Sequence, residues 1–418
     1  MARILLRAHK DPFRVVSPRR VFRHNLIGDN VGNLLFSSAS YKLLQTSGTE
    51  VVTSKLKGGR EEAARLNGEV DHVVIPLANA FRLSYAETLD RMTDLIEGLT
   101  VPVTVLGVGA QLRLDGEVER LDGMRDHVSR FMRAVLDRSP SIGVRGEYTE
   151  KYLKGLGFSD VDVIGCPSLF MQGPGLRIEK RVRTLTAKSA ISLNLSPYVP
   201  KLGPIVEHHT AAYPRLRYAA QHRDALGMLL DPDFRSKEFK TDQAVLPTHR
   251  GHPLVAEGRT SFFVDPAPWI QYLSKFDYSF GTRIHGNIAA LLGRTPATVL
   301  AHDSRTLELA RYHDIPHRTV DALPPTIDAA ELYAEADFTA FNREQAARFE
   351  RFGDFVHAHG LHHVYEAGED PKAFDRRMAK TRFPGDVGGE GAATGLPAAV
   401  SRLRRFPRLT RRPQSAVA

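Results

Sequence analysis

The sequence contains a single cysteine, Cys166, among 418 residues. One cysteine can form neither an internal disulfide nor a cysteine-based zinc cluster, which indicates a protein of a reducing compartment. No apolar run approaches the roughly 20 residues that a membrane-spanning helix needs. The first 20 residues hold only a three-residue apolar stretch before charges return, so no secretory signal is predicted. These absences favour a cytoplasmic protein and exclude a disulfide scaffold.

Acidic residues are outnumbered, with 57 lysines and arginines against 48 aspartates and glutamates and a net charge of +9. Residues 401–418 hold six arginines and no acid, so +9 minus +6 leaves +3 for the rest of the chain. Such a mildly basic body does not require a nucleic acid partner. The Gly- and Ala-rich stretch before these arginines lacks apolar periodicity, so residues 385–418 are predicted to be a disordered basic tail. That tail would give at most peripheral contact with an anionic membrane.

Short apolar runs alternate with helical stretches, the pattern of β-α-β units around a parallel sheet. Four predicted strands form a first series, at 71–77, 101–108, 141–145 and 161–164. After the polar segment 180–188 a second series follows, at 191–195, 244–246, 261–264, 278–280 and 297–300. The predicted helices of this second series include a long one over residues 213–230 and a short one over 287–292.

The fold class is therefore α/β, with two Rossmann-like, doubly wound domains that face a cleft. The predicted domains cover residues 1–180 and 181–330, and a helical segment over 331–384 precedes the tail. In doubly wound sheets ligands bind outside the carboxyl ends of the strands, where loops lead into helices. Polar residues at the strand ends are thus the candidates for a functional site.

The strongest candidate is FGTRIHGN, residues 280–287, which follows a predicted strand and begins a helix. Arg283 offers a planar, bidentate grip on an anion, and His285 is of the residue type that exchanges a proton near neutral pH. The helix start at Gly286 and Asn287 supplies free N–H groups that favour a phosphate or carboxylate. These features suit a small phosphorylated acid. The alternative is an ordinary strand-to-helix turn whose arginine and histidine are only solvated.

Other strand ends carry further candidates. Arg145 ends a predicted strand, either as an anion ligand or as the ion-pair partner of Glu147. Gly109 ends another strand and allows close approach of a ligand or close packing. Asp303 follows a third strand and is a candidate to orient His285 or a substrate.

Near the start of the chain, GDNVGN forms a turn before a helix. Gly28 and Asn30 suit the turn, and the Asp29 carboxylate is a candidate to hold a sugar hydroxyl or act as a base. The segment lacks the GxGxxG pattern and follows a poor strand, so a nicotinamide site is not supported.

Two groups of histidines suggest a metal, but neither has an HExxH arrangement or nearby cysteines. One group is His249 and His252, and the other is His357, His359, His362 and His363. We therefore predict no metal site. Cys166 is interpreted as a small buried residue and not as a nucleophile.

Taken in order, these segments resemble the polysaccharide pyruvyl transferase family. The resemblance rests on GDNVGN, GVGAQ, SIGVRGEYTEKYLKGLGFSDVDVIGCPS and FGTRIHGNIAALLGRTPATVLAHDSRTLELARYHDIP, between residues 25 and 320. The chain departs from many members at Cys166 and Arg305, where they carry aspartate and lysine.

The resemblance implies an enzyme that transfers the pyruvyl group of phosphoenolpyruvate to a sugar as a ketal and releases phosphate, without a cofactor. It implies a role in the biosynthesis of a cell-surface glycan or exopolysaccharide, with a sugar or glycan acceptor, lipid-linked or free. The implied fold is similar to that of GT-B glycosyltransferases, with the acceptor on the N-terminal domain and phosphoenolpyruvate on the C-terminal domain.

Matched onto the family's motifs, His285, Arg145 and Arg283 become the catalytic residues. The candidates for substrate binding are Gly28, Asp29, Asn30, Gly109, Gly286, Asn287 and Asp303. Two alternatives stay open: a nucleotide-sugar-dependent glycosyltransferase that uses the arginines on a diphosphate, and a non-catalytic glycan- or anion-binding protein.

Overall fold

The computed structural model of the chain describes residues 1–112, 114, 119–236 and 245–389. Within these ranges the strands are arranged in parallel sheets, and helices connect them. In chain order the strands are β1 (Ala2–Arg7), β2 (Thr49–Ser54), β3 (His72–Pro76), β4 (Val103–Leu106), β5 (Ile142–Val144), β6 (Val161–Val163), β7 (Ile191–Asn194), β8 (Leu216–Ala220), β9 (Thr260–Phe262), β10 (Tyr278–Gly281), β11 (Ala297–Ala301) and β12 (His317–Thr319).

The helices are α1 (Pro18–Arg23), α2 (Gly32–Leu44), α3 (Arg60–Leu66), α4 (Ala86–Gly98), α5 (Arg125–Leu136), α6 (Glu147–Gly155), α7 (Gly203–Ala212), α8 (Arg223–Leu230), α9 (Pro253–Ala256), α10 (Pro266–Leu273), α11 (Ile284–Leu292), α12 (Ser304–Tyr312), α13 (Ala329–Glu335), α14 (Thr339–Ala358) and α15 (Ala373–Lys380). Across the part of the chain that is described, none of them combines the length and the apolar character needed to span a membrane.

The first sheet has the strand order β2-β1-β3-β4, and all of its pairs are parallel. Strands β5 and β6 form a parallel pair that continues this layer beyond β4. The link is made by Val108, whose N–H donates to the Gly143 carbonyl and whose carbonyl accepts from Arg145 N–H, each at 3.1 Å. Because helices cover both faces, β3, β4 and β5 are buried along their whole length.

The second sheet has the order β12-β11-β10-β7-β8-β9, again with parallel pairs. Numbered from its own first strand, this order is 3-2-1-4-5-6, the strand order of a doubly wound Rossmann sheet. The direction of winding reverses between β7 and β10, which opens a crevice at their carboxyl ends. The prediction of two Rossmann-like α/β domains is confirmed.

Four strands were absent from the sequence prediction: β1, β2, β8 and β12. The predicted helix over residues 213–230 is wrong, because β8 occupies its first half and α8 only its second. In β8 the side chains of Leu216 and Tyr218 are buried on one face and Ala219 on the other, and so short an apolar run does not distinguish strand from helix. The predicted strand at 244–246 has no counterpart, since residue 244 lies outside the described residues and 245–246 belong to a turn.

The start of the predicted tail is also corrected. Val387 forms an antiparallel bridge with Phe262 of β9, with its N–H donating at 2.9 Å and its carbonyl accepting at 3.0 Å. The Asp386 carboxylate accepts from Ser261 Oγ at 2.6 Å and from Phe262 N–H at 3.1 Å. Because β9 is the edge strand, its outer hydrogen-bonding groups need such a cover. The rest of the predicted tail, 390–418, lies outside the described residues.

Helix α2 joins the two units. It belongs to the first unit by sequence, yet it contacts α10 and α11 of the second. Twelve of its thirteen residues are buried, which a one-sided surface helix cannot achieve. A buried ion pair adds to this junction, because Lys10 after β1 meets Asp265 after β9 with both side chains almost fully inaccessible.

The cover on β9 gives a first prediction. A chain ending at residue 384 should be less stable than one ending at residue 389 by about 2 to 4 kcal/mol, since it loses the backbone bridge and the buried carboxylate hydrogen bonds. Thermal and urea unfolding of the two proteins measures the difference. Equal stability would show that residues 385–389 contribute nothing to the edge of the sheet.

Candidate active site

Four arginines gather where strands of both sheets end, and we call them the arginine cluster. Arg82 follows β3, Arg145 follows β5, Arg283 follows β10, and Arg305 lies in the first turn of α12 after β11. Burial lowers the pKa of Arg82 and also that of Arg145, and nearby Arg305 lowers both further. The sheets therefore place several cations from both units in one region of low solvent access.

Each of these guanidinium groups keeps a buried nitrogen that has no hydrogen-bond partner among the described residues. These atoms are Nε of Arg82 and Arg305 and Nη2 of Arg145 and Arg283. Other nitrogens of the same groups are anchored on the backbone: Arg145 Nε donates to the Gly107 carbonyl at 3.1 Å, and Arg283 Nε donates to the Leu195 carbonyl at 3.3 Å. A buried donor without an acceptor costs about 1 to 3 kcal/mol, so these four nitrogens are an energetic cost among the described residues.

The crevice between β7 and β10 is fixed by two asparagines. Asn194 Oδ1 accepts from Arg283 N–H at 2.8 Å, and its amide donates to Asn287 Oδ1 at 2.8 Å. Asn287 in turn donates to the Gly281 carbonyl at 2.9 Å. Gly281 has φ of 144°, and a Cβ there would lie 1.8 Å from the Asn194 carbonyl oxygen, so only glycine fits. The Asn287 side chain, predicted to bind substrate, holds the start of α11 in the free protein.

His285 lies in the first turn of α11 and is buried. Its Nε2 is 3.7 Å from Cys166 Sγ, and its ring stacks on Phe36 of α2 with centroids 6.2 Å apart. A Cβ at Gly32 would lie 2.7 Å from His285 Cβ, so the start of α2 packs directly on it. Burial, followed by Arg145 and Arg283, lowers the pKa of His285 to about 3. The imidazole is therefore neutral at physiological pH.

The GDNVGN turn connects the first unit to the end of β8. Asn30 forms an antiparallel bridge with His222, and the Asp29 carbonyl accepts from Arg223 N–H at 2.9 Å. The Asp29 side chain is exposed and accepts from the Asn25 amide at 2.8 Å. Gly28 packs against His9, since a Cβ there would lie 2.4 Å from the imidazole Nε2.

Two glycines predicted to contact substrate lie close against polar side chains. A Cβ at Gly109 would lie 2.7 Å from Arg145 Cδ, and one at Gly286 would lie 2.4 Å from Gln221 Nε2. Cys166 is fully buried, as predicted, and its backbone N–H donates to His313 at 3.0 Å.

Asp303 caps α12. Its Oδ1 accepts from Thr306 N–H at 2.9 Å, and its Oδ2 forms an ion pair with Arg305 and lies 3.5 Å from His302 Nε2. Burial opposes ionisation, but Arg305, His302 and Thr306 together hold the pKa of Asp303 well below its usual range. Asp303 therefore orients Arg305, and its partners do not include His285.

Glu308 of α12 was missed by the sequence analysis. Its carboxylate accepts from Thr149 N–H at 3.0 Å and from Thr149 Oγ1 at 2.8 Å, which connects α12 to the start of α6. Burial raises the pKa of Glu308 to about 7, although Thr149 and Arg145 act in the opposite direction. The sequence did hold a signal for a buried carboxylate. Glu308 lies between two leucines and on the same helix face as Ser304, four positions earlier.

Gln221 was missed as well. It follows β8 and is buried, and neither atom of its amide has a hydrogen-bond partner within the described ranges. Its position at a strand end was hidden because β8 had been predicted as helix. Arg82 follows β3 at a distance of six residues, too far for a rule based on the residue next to a strand.

The fold and this site define a two-domain α/β protein with a cluster of arginines at the carboxyl ends of both sheets. The sequence matches the family model described as polysaccharide pyruvyl transferase over residues 30–304. The chain belongs to this family, which makes it a transferase of glycan biosynthesis. No curated protein matches the sequence.

Two solved structures illustrate its similarity to other proteins. One is S. aureus MnaA in a co-structure with UDP, with 11% identity, coverage of 88% of this chain and 100% of that one, and a TM-score of 0.45. The other is the Methanocaldococcus jannaschii UDP-GlcNAc 2-epimerase in complex with UDP-GlcNAc and UDP, with 10% identity, coverage of 85% and 99%, and a TM-score of 0.43. Likenesses at this level transfer no activity to this chain.

Glu308 provides a prediction with a defined sign. Burial raises the pKa of its carboxyl to about 7 in the folded protein, from an ordinary value of 4.5 in the unfolded chain. Stability relative to Glu308→Gln is thus fully present below pH 4.5 and is lost as the pH rises through 7. We expect the difference between wild type and variant to change by about 3 kcal/mol over this range, measured by urea unfolding. If the stability difference between wild type and Glu308→Gln did not change with pH, Glu308 would not titrate between pH 4.5 and 7.

Proposed function

We propose that this chain transfers the pyruvyl group of phosphoenolpyruvate to a sugar of a glycan or glycan precursor as a ketal, with release of phosphate. The observation that carries the proposal is the arginine cluster with its unpartnered buried nitrogens. Phosphoenolpyruvate presents a phosphate and a carboxylate on a three-carbon skeleton, and planar guanidinium groups bind both kinds of anion in a bidentate manner. Family membership supplies the reaction class.

The reaction can be written with every atom placed. The methylene carbon of phosphoenolpyruvate gains a proton and becomes the methyl group, while one sugar hydroxyl attacks C2 and loses its proton. The C2–O bond to phosphate then breaks, the phosphate leaves, and a second hydroxyl attacks C2 and loses its proton to close the ketal. Of the two hydroxyl protons, one balances the proton taken up by the methylene carbon and the other ends on the departing phosphate. Negative charge gathers on the departing phosphate, where Arg145 and Arg283 would stabilise it.

His285 would act after the donor has bound. Burial, followed by Arg145 and Arg283, lowers the pKa of His285 to about 3. In the free site only one ring nitrogen therefore carries a proton at neutral pH, and the imidazole cannot serve as a general acid. A bound phosphate and carboxylate would offset these two cations and raise that pKa toward neutrality. We assign His285 the role of proton donor or phosphate ligand in the complex.

The acceptor would approach from the first unit. Asp29 lies exposed in the GDNVGN turn, and His9 lies beside Gly28 of that turn. Gln221 of the second unit reaches the same turn, where its backbone carbonyl accepts from Val31 N–H at 3.1 Å. Carboxylate, amide and imidazole groups suit sugar hydroxyls better than a second anion. We assign cell-surface glycan or exopolysaccharide biosynthesis as the biological role, with no cofactor.

The first test measures donor binding and needs no acceptor. Phosphoenolpyruvate at 100 times its dissociation constant should stabilise the wild type by about 2.7 kcal/mol in thermal unfolding. Arg145→Met and His285→Gln should lose most of this stabilisation. Arg177→Met is the matched control, since Arg177 is 65% exposed and pairs with Glu179 at 3.2 Å.

The same experiment separates the alternatives. Stabilisation by UDP- or GDP-sugars without a response to phosphoenolpyruvate would favour a glycosyltransferase. Binding of phosphoenolpyruvate without phosphate release for any acceptor would indicate a non-catalytic anion-binding protein. An equal response of Arg145→Met and Arg177→Met would move the donor away from the arginine cluster.

A further inference from the structure

A second group of ligand-type side chains lies where α14 ends. His357 is in the last turn of this helix, and His362 and Glu366 follow in the segment that folds back over it. His357 Nε2 is 2.9 Å from Glu366 Oε1, and His362 Nδ1 is 2.9 Å from Glu366 Oε2. Each of the three residues offers one ligand atom, and these atoms lie within 4.8 Å of one another.

This group belongs to a different part of the fold from the arginine cluster. The neighbouring His359 contacts the carbonyl of Ser141 with its Nε2 at 3.1 Å, and Ser141 immediately precedes β5. Arg145 follows the same strand. The histidine group therefore lies toward the amino end of β5, at the opposite edge of the sheet from the proposed donor site.

We propose that His357, His362 and Glu366 form a surface site for a divalent transition-metal ion, with Zn²⁺ as the ion that the donor set fits. Two imidazoles and one carboxylate make up a known three-ligand zinc set, and water completes the tetrahedron. Oxygen-seeking ions such as Mg²⁺ do not favour imidazole.

The required movement is small. With bonds of about 2.1 Å, a tetrahedral zinc ion holds its ligand atoms about 3.4 Å apart. The side chains of His357 and His362 are 46% and 67% exposed, so rotation of either imidazole closes the gap without disturbing the core. Glu366 is already fixed, because its Oε1 accepts from His363 N–H at 2.6 Å.

Metal binding here would stabilise the segment from His362 to Glu366, which contacts the end of α2. Val364 N–H donates to the Leu43 carbonyl at the end of α2 at 2.8 Å, and Tyr365 OH donates to the Met171 carbonyl at 2.8 Å. A metal bound by residues on both sides of this segment would hold the end of α14 to it. The role we infer is structural stabilisation.

The test uses the full chain without a histidine tag. Zinc titration by calorimetry should give one ion per chain, and zinc should raise the unfolding temperature. His357→Ala and Glu366→Gln should each weaken binding by about tenfold or more and abolish the thermal shift. His127→Ala is the matched control, because His127 Nδ1 also contacts a carboxylate, Asp90, at 2.8 Å, but among the described residues it belongs to no group of three metal-ligating side chains.

Each outcome decides the proposal. Loss of zinc binding in His357→Ala and Glu366→Gln, with binding retained in His127→Ala, supports the proposal if the two variants unfold at the wild-type temperature without metal. If they do not, His362→Ala, whose imidazole is more exposed, replaces them and should lose zinc binding in the same way. Wild-type binding no tighter than that of His357→Ala would overturn it. So would a zinc-induced stabilisation that persists in both His357→Ala and His362→Ala.

Discussion

The burial of cations at the strand ends is the constraint on which the rest of this structure depends. Taking a guanidinium group out of water costs several kcal/mol unless other groups compensate. Here compensation is partial: carbonyls of Gly107 and Leu195 anchor Arg145 and Arg283, and Asp303 pairs with Arg305. The remaining unpartnered nitrogens are an energetic cost in the free protein. A ligand with two anionic groups would supply acceptors for these nitrogens, and its affinity would include the free energy that their burial costs the free protein.

Neither unit can build this site alone. Arg145 comes from the first sheet and Arg283 from the second, so the site exists only while the two units stay packed. Helix α2 secures that packing because it is buried between them and presents Gly32 to His285. Glu308 adds a second connection through Thr149. Residues outside the arginine cluster thereby set the distances between its cations, because a close-packed interior leaves little room for these elements to shift.

The sequence alone was sufficient to predict the features that depend on local residue patterns. Parallel strands, their helices and the strand-end position of Arg283 and His285 follow from apolar runs and turn residues. What it could not supply depends on partners distant along the chain. Asn287 and Asn194 are 93 positions apart, and nothing in the sequence indicated their mutual hydrogen bond, which holds the start of α11. Gln221 stayed hidden because a five-residue strand has too few positions to reveal its period.

The electrostatics of the free site have a consequence for the timing of proton transfer. Burial, and after it Arg145 and Arg283, lowers the pKa of His285 to about 3, whereas burial raises the pKa of Glu308 to about 7. An anion bound among the arginines would offset their positive charge at both groups. The imidazole then gains a proton more easily, and Glu308 releases one less easily. On the proposed function, protonation and donor binding would thus be coupled, and His285 would become a proton donor only when the group to be protonated is in place.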